Sequence, residues 1–309
     1  MRRGNSNLVA RIVVWAVIGV LALILLIWAA TGGGLGSLPV IHLWNSNPWG
    51  GDAVNVISTA TLTEAVDVLD IDWTSGGVTL VPVDGSEIVL REKSSRSDAE
   101  TRMIQSVKGG VLTVDSKKQT GVFFLWWLQP DTTLEISLPR KVYDRMAVKA
   151  ASGTCDLTGM TVGDLSVDLT SGKLVLDRVK VDNAVVTLTS GSFYGQGMSV
   201  KKLDTRITSG TLDLAGDIGS VGLRVTSGTA RLATTVMPTR LDADMTSGNM
   251  TFTLPENSGF SVDVKTTSGN FNSDFAMAST GGRRMYLNGG SLAYSLSCTS
   301  GNISIRRAD

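Results

Sequence analysis

The chain has 309 residues, and its 28 basic and 28 acidic side chains leave no net formal charge. A surface that binds nucleic acid usually carries a basic excess, so this balance argues against nucleic acid as a partner. A single histidine, His42, argues against histidine-based catalysis and most zinc sites, and two cysteines are too few for a disulfide-stapled scaffold.

The N-terminal segment predicts a membrane anchor. Arg2, Arg3 and Arg11 precede residues 12–30, which contain no charged side chain. A helix of this length spans about 28 Å, close to the hydrocarbon thickness of a bilayer. Because the basic residues lie only on the N-terminal side, the N-terminus is expected to stay in the cytoplasm. The alternative is a cleaved signal peptide, whose apolar region is normally shorter, about 7–15 residues.

These observations divide the chain into predicted regions. Residues 1–11 form a cytoplasmic tail, residues 12–31 a single-pass transmembrane helix at the cell membrane, and residues 32–59 a linker rich in glycine, proline and asparagine. The remaining extracytoplasmic residues, 60–309, form one domain, with irregular coils and a cap over 60–145 and regular coils over 146–309.

An uninterrupted apolar stretch, Val122–Leu128, stands out in the irregular part. It lacks the alternation of a half-exposed strand, which leaves two interpretations. The stretch caps the open end of a repeat stack, where strand edges are unpaired, or it inserts into a membrane or a partner. Its aromatic side chains are candidate binding residues: Phe123, Phe124, Trp126 and Trp127.

Ser-Gly pairs recur through the domain at a nearly fixed interval. They begin at Ser75, Ser152, Ser171, Ser190, Ser209, Ser227, Ser247, Ser268 and Ser300. The intervals are 77, 19, 19, 19, 18, 20, 21 and 32 residues, and the first is close to four repeats of nineteen. A fixed period of this size is typical of a solenoid.

Apolar and polar residues alternate on both sides of each pair, as in strands with one buried face. Each unit is therefore predicted to form one coil, stacked about 4.8 Å from the next, that completes its core only with its neighbours. The predicted fold is an all-β, single-domain β-solenoid of about 19-residue coils, preceded by one transmembrane helix. We expect Leu169, Leu188 and Ile207, each two residues before a serine, to be direct neighbours.

Eight of the nine residues that precede the serines are threonines. Thr170, Thr189 and Thr208 are candidate binding residues if the hydroxyl row binds a sugar or another polar polymer. The alternative is that these residues serve corner geometry alone, since Ser and Gly are common at any turn. The outward aspartates, such as Asp168 and Asp204, indicate a solvated face, because the glycine-rich nonapeptide of calcium-binding β-rolls is absent.

No catalytic, cofactor-binding or metal-binding residue is predicted. The acidic residues are scattered, and none forms the carboxylate pair that glycoside hydrolysis requires. Cys155 and Cys298 both fall at inward positions. Sequential stacking would separate them by seven coils, about 34 Å, so we predict two buried free thiols.

The domain resembles a bacterial putative-adhesin family, a domain of unknown function with Ser-Gly β-solenoid coils. The resemblance rests on "VLDIDWTSGGVTLVPVDGSEIVLRE", "GGVLTVDS", "LEISLPRKVYDRMAVKAASGTCDL" and "YSLSCTSGNISIRR", covers roughly residues 60–309, and is most specific at "LPRKVYD". It implies a cell-envelope protein with an adhesion or envelope-stress signalling role and assigns no catalytic residue.

Three hypotheses for function follow. The first is a membrane-anchored, non-enzymatic binding module whose partners are the membrane and a cell-wall polymer. The second is a regulatory partner of a membrane sensor protein. The third, a polysaccharide-active enzyme, is disfavoured by the scattered acids.

Overall fold

The computed structural model describes residues 55–74, 76–96, 103–116, 132–256, 259–280, 283–286 and 292–308. The chain divides into two units, Met1–Asn47 and Pro48–Asp309, and every described residue lies in the second. The predicted tail, the predicted transmembrane helix and Val122–Leu128 fall outside the described residues. Within the part that is described, no helix has the length and apolar character needed to cross a membrane.

The described residues form strands of one large sheet. The first nine are β1 Asn55–Leu62, β2 Val68–Trp73, β3 Val78–Val83, β4 Ile88–Ser94, β5 Met103–Lys108, β6 Val111–Ser116, β7 Thr132–Pro139, β8 Val142–Ala150 and β9 Thr154–Asp156. The others are β10 Thr161–Val175, β11 Lys180–Ile218, β12 Ser220–Thr234, β13 Arg240–Leu254, β14 Phe260–Ser268, β15 Phe271–Ser273, β16 Met277–Thr280, β17 Arg283–Tyr286 and β18 Leu292–Arg307. The all-β prediction is confirmed for these residues.

Parallel pairing in register joins the Ser-Gly coils. β10 pairs with β11, β11 with β12, and β12 with β13, and corner serines pair with corner serines at each step. Leu169 lies beside Leu188. A Cβ built on Gly210 would lie 1.8 Å from the carbonyl oxygen of Gly191, so the coils that carry Leu188 and Ile207 are also neighbours. The expected contiguity of Leu169, Leu188 and Ile207 is confirmed.

The coils do not all stack in the order of the sequence. β2 pairs directly with β8, so the first Ser-Gly coil is adjacent to the second despite the 77 residues between their serines. The idea that this interval corresponds to four stacked repeats is therefore wrong. Its residues instead build β6 and β7, which lie on the far side of β2 and β3.

A second departure from sequential order occurs at the C-terminal end. β18 pairs with β13 on one side and with β14 on the other, so the last strand of the chain lies inside the stack. Cys155 and Cys298 are consequently separated by six coil steps instead of seven, following the corners Gly153, Gly172, Gly191, Gly210, Gly228, Gly248 and Gly301. Both cysteines are buried and free, as expected.

Antiparallel strands lie at both ends of the parallel stack. At the N-terminal end, β5 pairs with β6, and β1 and β4 continue the sheet beyond β7. At the C-terminal end, β17 pairs with β14 and β16 pairs with β17. Such additions limit further parallel stacking, because the next strand cannot continue the coil.

One continuous apolar core runs through the coils. Two large buried side chains of this core donate hydrogen bonds to backbone carbonyl oxygens. Trp73 Nε1 donates to the carbonyl oxygen of Thr132 at 3.1 Å, and the Tyr294 hydroxyl donates to that of Pro238 at 2.8 Å. The alternation read from the sequence therefore corresponds to real inward and outward faces, and polar residues that project outward are available for binding.

Candidate functional site

The Ser-Gly corner brings successive coils into close backbone contact. Gly191 has a φ of 133°, and a Cβ built on it would lie 1.9 Å from the carbonyl oxygen of Gly172. The amides of Ser171 and Lys173 donate to the carbonyl oxygens of Ala151 and Gly153, both at 3.0 Å. Glycine is required at this position because no side chain fits between coils that approach so closely.

This close packing exposes the two residues that precede each glycine. Thr170, Thr189 and Thr208 are all exposed, and so are the serines that follow them. Because the corners stack in register, their side chains form two rows of hydroxyls, which we call the hydroxyl ladder. In spatial order its threonines are Thr170, Thr189, Thr208, Thr226, Thr246, Thr299 and Thr267.

The hydroxyl ladder has simple chemistry. Each hydroxyl is one donor and accepts at two lone pairs, and the coil spacing repeats it about every 4.8 Å. A single exposed hydroxyl contributes little to binding, but a regular row can engage a repeating polar ligand at several points at once. Among the described residues of the ladder there is neither a nucleophile–base pair nor a pair of carboxylates.

The four predicted aromatic binding residues, Phe123, Phe124, Trp126 and Trp127, lie outside the described residues. The described residues on either side of them belong to the N-terminal end coil. Ser116, at the end of β6, accepts a hydrogen bond at Oγ from the amide of Thr74 at 3.1 Å. A Cβ on Gly76 would lie 1.8 Å from the carbonyl oxygen of Thr132, where β7 begins. Ser116 and Thr132 therefore both lie at the Ser-Gly corner of the coil that contains Thr74 and Gly76.

The two cysteine thiols are poorly suited to chemistry. Both side chains are buried in the core, at 0% and 1% exposure for Cys155 and Cys298. Burial raises the pKa of the Cys155 thiol to about 12, and it also raises the pKa of Cys298. Because only the thiolate is a strong nucleophile, neither residue is activated at neutral pH.

The acidic residues do not gather into a metal site. In the ranges that the structure describes, no three His, Cys, Asp or Glu side chains are close enough together to hold a metal ion. Several outward aspartates instead contact basic or hydroxyl side chains. Examples are Asp204, which is 3.1 Å from Lys202, and Asp242, which is 2.6 Å from Arg240.

Two arginines that were not predicted as site residues lie next to each other in the structure. Arg206 and Arg224 pair in register on the outer face of β11 and β12. Each precedes a corner serine by three residues, so an alignment of the repeats on their serines places both in one column. That alignment is the signal that would have found them.

Comparison with known proteins identifies one matching family and several similar structures. The family model described as Toastrack DUF4097 matches residues 66–306. No curated protein matches the chain.

Solved structures with similarity to the chain come from several bacteria. A putative adhesin from Bacteroides fragilis is 12% identical with a TM-score of 0.47, and the match covers 81% of this chain and 96% of that one. A putative lipid binding protein from Parabacteroides distasonis is 10% identical with a TM-score of 0.46, covering 82% and 96%. A putative cell adhesion protein from Clostridium sporogenes is 12% identical with a TM-score of 0.27, covering 81% and 99%.

Proposed function

The chain belongs to the Toastrack DUF4097 family, and from that premise we propose that it is a membrane-anchored β-solenoid that binds a polar polymer of the cell envelope without catalysing a reaction. The single observation that carries this proposal is the hydroxyl ladder. Its threonines and serines are exposed at successive corners, at a spacing fixed by the hydrogen-bonded coils. Weak contacts repeated along such a row add up only for a ligand that itself repeats.

The anchor is part of the proposal and rests on the sequence. Residues 12–31 act as a single transmembrane helix, residues 1–11 stay in the cytoplasm, and the β-solenoid lies outside the cytoplasm at the cell membrane. In support, the uncharged stretch is long enough for a bilayer and is flanked by arginines only on its N-terminal side. Alkaline carbonate extraction and protease protection of the full chain in intact cells test the anchor and its orientation.

The aromatic segment supplies a second contact in this proposal. Phe123, Phe124, Trp126 and Trp127 lie between Ser116 and Thr132, which are both at the corner of the N-terminal end coil. Aromatic side chains provide large apolar contact area, and they stack on sugar rings or insert at a membrane interface. We propose that they extend the hydroxyl ladder at that end.

Crosslinking and pulldown of the full-length protein from intact cells test the polymer. We expect wall polymer to be recovered with the wild-type chain and to be lost with the triple variant T170V/T189V/T208V. Valine keeps the shape of the threonine side chain, so this variant removes three hydroxyls and little else. The matched control is T59V/T61V/T63V, which alters three exposed threonines at and just after β1, away from the corner. Equal recovery with both triple variants would refute a role for the hydroxyl ladder. Recovery of a membrane sensor protein in place of polymer would favour the regulatory hypothesis.

A further inference from the structure

A groove on the outer face of the stack lies apart from the hydroxyl ladder. Gly222, in β12, has no side chain, and a Cβ built on it would lie 2.3 Å from Oδ1 of Asp204. The Asp204 carboxylate therefore covers Gly222, and a cavity of about 260 Å³ beside them spans several coils and is lined mainly by polar residues. Its charged residues are Asp204, Arg206, Arg224, Arg240, Asp242 and Asp244.

All three acidic residues of the groove already have partners. Lys202 Nζ lies 3.1 Å from Asp204 Oδ2. Arg240 lies 2.6 Å from Asp242 Oδ2. Ser297 donates its hydroxyl to Asp244 Oδ1 at 2.5 Å. Asp204 and Asp242 are therefore paired with cations, whereas Asp244 has a hydrogen bond from a hydroxyl and lies opposite Arg224 on the neighbouring strand.

The two arginines that remain are not engaged in this way. Arg206 and Arg224 lie opposite each other on adjacent strands, which are about 4.8 Å apart. Both are exposed, and neither guanidinium has a hydrogen bond or ion pair with any residue that the structure describes. Like charges directly opposite on neighbouring strands are destabilising. Arg224 lies opposite Asp244 on its other side, which offsets part of this cost, but Arg206 lies opposite Thr187 and Arg224 only.

We propose that Arg206 and Arg224 form a binding site for an oxyanion, the phosphate or carboxylate group of an anionic ligand. A guanidinium offers several donors in a planar fork that matches both groups, and two forks on adjacent strands can hold one oxyanion between them. The bound charge would remove the repulsion between the two arginines. The group would bind on the corner side of Asp204 and Asp242, two residues along the strands from these carboxylates.

This site extends beyond the proposed function and does not depend on it. The arginines lie on the outer face of the strands before the corner, three residues away from Ser209 and Ser227, whereas the hydroxyl ladder lies at the corner itself. T170V/T189V/T208V should therefore leave oxyanion binding unchanged, so the failure of one proposal can be told from failure of the other.

The test uses the full chain purified in detergent at low ionic strength. Titrations with inorganic phosphate, polyphosphate and polygalacturonate are followed by calorimetry. We expect at least one of the three to bind, and we expect R206Q/R224Q to bind it at least about tenfold more weakly, because charge-assisted hydrogen bonds are lost. The matched control, R145Q/R231Q, removes the same charge from exposed arginines elsewhere on the stack and should change affinity much less.

Each outcome of this test is informative. Binding of the phosphate ligands alone or of the polycarboxylate alone supports the site and identifies the source of the oxyanion. R206Q/R224Q removes the repulsion between the two arginines and also the attraction between Arg224 and Asp244, so we expect its thermal midpoint to stay close to that of the wild type, and this measurement separates lost binding from unfolding. No binding of any of the three ligands by the wild type, or equal losses in both double variants, would overturn the proposal.

Discussion

At the scale of single residues, the corner glycines matter because of what lies next to them. At Gly191 the carbonyl oxygen of the preceding coil occupies the place of a side chain, and φ is 133°. At Gly197 φ is 63°, but the nearest atom to a built Cβ is Arg178 Cγ at 3.6 Å. A residue with a Cβ at position 197 would meet backbone strain alone, whereas at position 191 it would meet both strain and a clash with the backbone of the preceding coil.

Gly191→Ala should accordingly be far more damaging than Gly197→Ala. We expect Gly191→Ala to lower the free energy of unfolding by more than about 3 kcal/mol, because the coils must separate to admit the methyl group. The control, Gly197→Ala, should cost about 1–2 kcal/mol, the usual penalty for a left-handed residue with a Cβ. Urea unfolding followed by circular dichroism measures both, and equal costs would contradict the close contact.

Cys155 predicts how stability depends on pH. Its pKa is raised to about 12 by burial, whereas a thiol in the unfolded chain titrates near 9. The native state therefore keeps a proton that the unfolded state loses, so the contribution to stability is complete below pH 9 and is lost as pH rises toward 12. We expect C155A to reduce the fall in the free energy of unfolding between pH 9 and 11 by up to about 1.4 kcal/mol per pH unit.

Because C155A also removes buried volume, the quantity that isolates the titration of the thiol is the slope of the free energy of unfolding against pH. Val78 pairs with Cys155 in the sheet and is equally buried, so Val78→Ala leaves a cavity without removing a titrating group. The slope of Val78→Ala should match that of the wild type. A C155A slope that also matches the wild type would show that the thiol does not titrate differently in the two states.

At the scale of strands, the sequence predicts which residues face inward much better than it predicts which strands pair. Alternation around each Ser-Gly pair identifies the inward residues, because side chains on a strand point alternately to the two faces. It does not determine which coil stacks on which, since all coils present similar edges and similar apolar rows. The insertion of β18 between β13 and β14 and of β2 between β6 and β8 could not be read from the period.

A partial signal for the order of the last coils does exist in the sequence. Asn249, Asn270 and Asn302 all follow a corner serine by two residues. In the structure Asn302 is in the middle, donating from Nδ2 to Asn249 Oδ1 at 2.9 Å and accepting at Oδ1 from the amide of Asn270 at 3.3 Å. The shared residue type predicts that the three are adjacent, but not which one is central. The hydroxyl ladder, by contrast, follows from the sequence, because eight of the nine Ser-Gly corners have a threonine before the serine.

Engineered disulfides test the inserted position of β18. Ser304 pairs in register with Thr251 on one side and with Asn272 on the other. We expect both T251C/S304C and N272C/S304C to form a disulfide on mild oxidation, as mapped by peptide mass spectrometry. T251C/N272C should not, because strands two steps apart are separated by about 9.6 Å and a disulfide needs Cα atoms within about 7 Å. Stacking in the order of the sequence makes the opposite prediction for T251C/N272C.

At the scale of the β-solenoid, nearest-neighbour contacts dominate. Each regular coil pairs only with the coil before it and the coil after it, as β10, β11 and β12 do. In such an array stability is approximately a sum of the intrinsic terms of the coils and the terms of the interfaces between them. The fold should then tolerate a change in the number of coils, provided that inward and outward residues of neighbouring coils stay in register.

Removal of one complete coil should therefore preserve the fold. Deletion of residues 172–190, nineteen residues, joins Ser171 to Gly191, which is the register partner of Gly172. We expect this variant to keep its β circular dichroism and cooperative unfolding, with a lower m-value because less surface is exposed on unfolding. Deletion of residues 172–180 removes nine residues, which is less than one coil, joins Ser171 to Val181 in place of Gly172, and takes the following residues out of register with the neighbouring coils. That control should unfold or aggregate although it loses fewer residues. A nineteen-residue deletion that is the more damaging of the two would contradict a stack of equivalent coils.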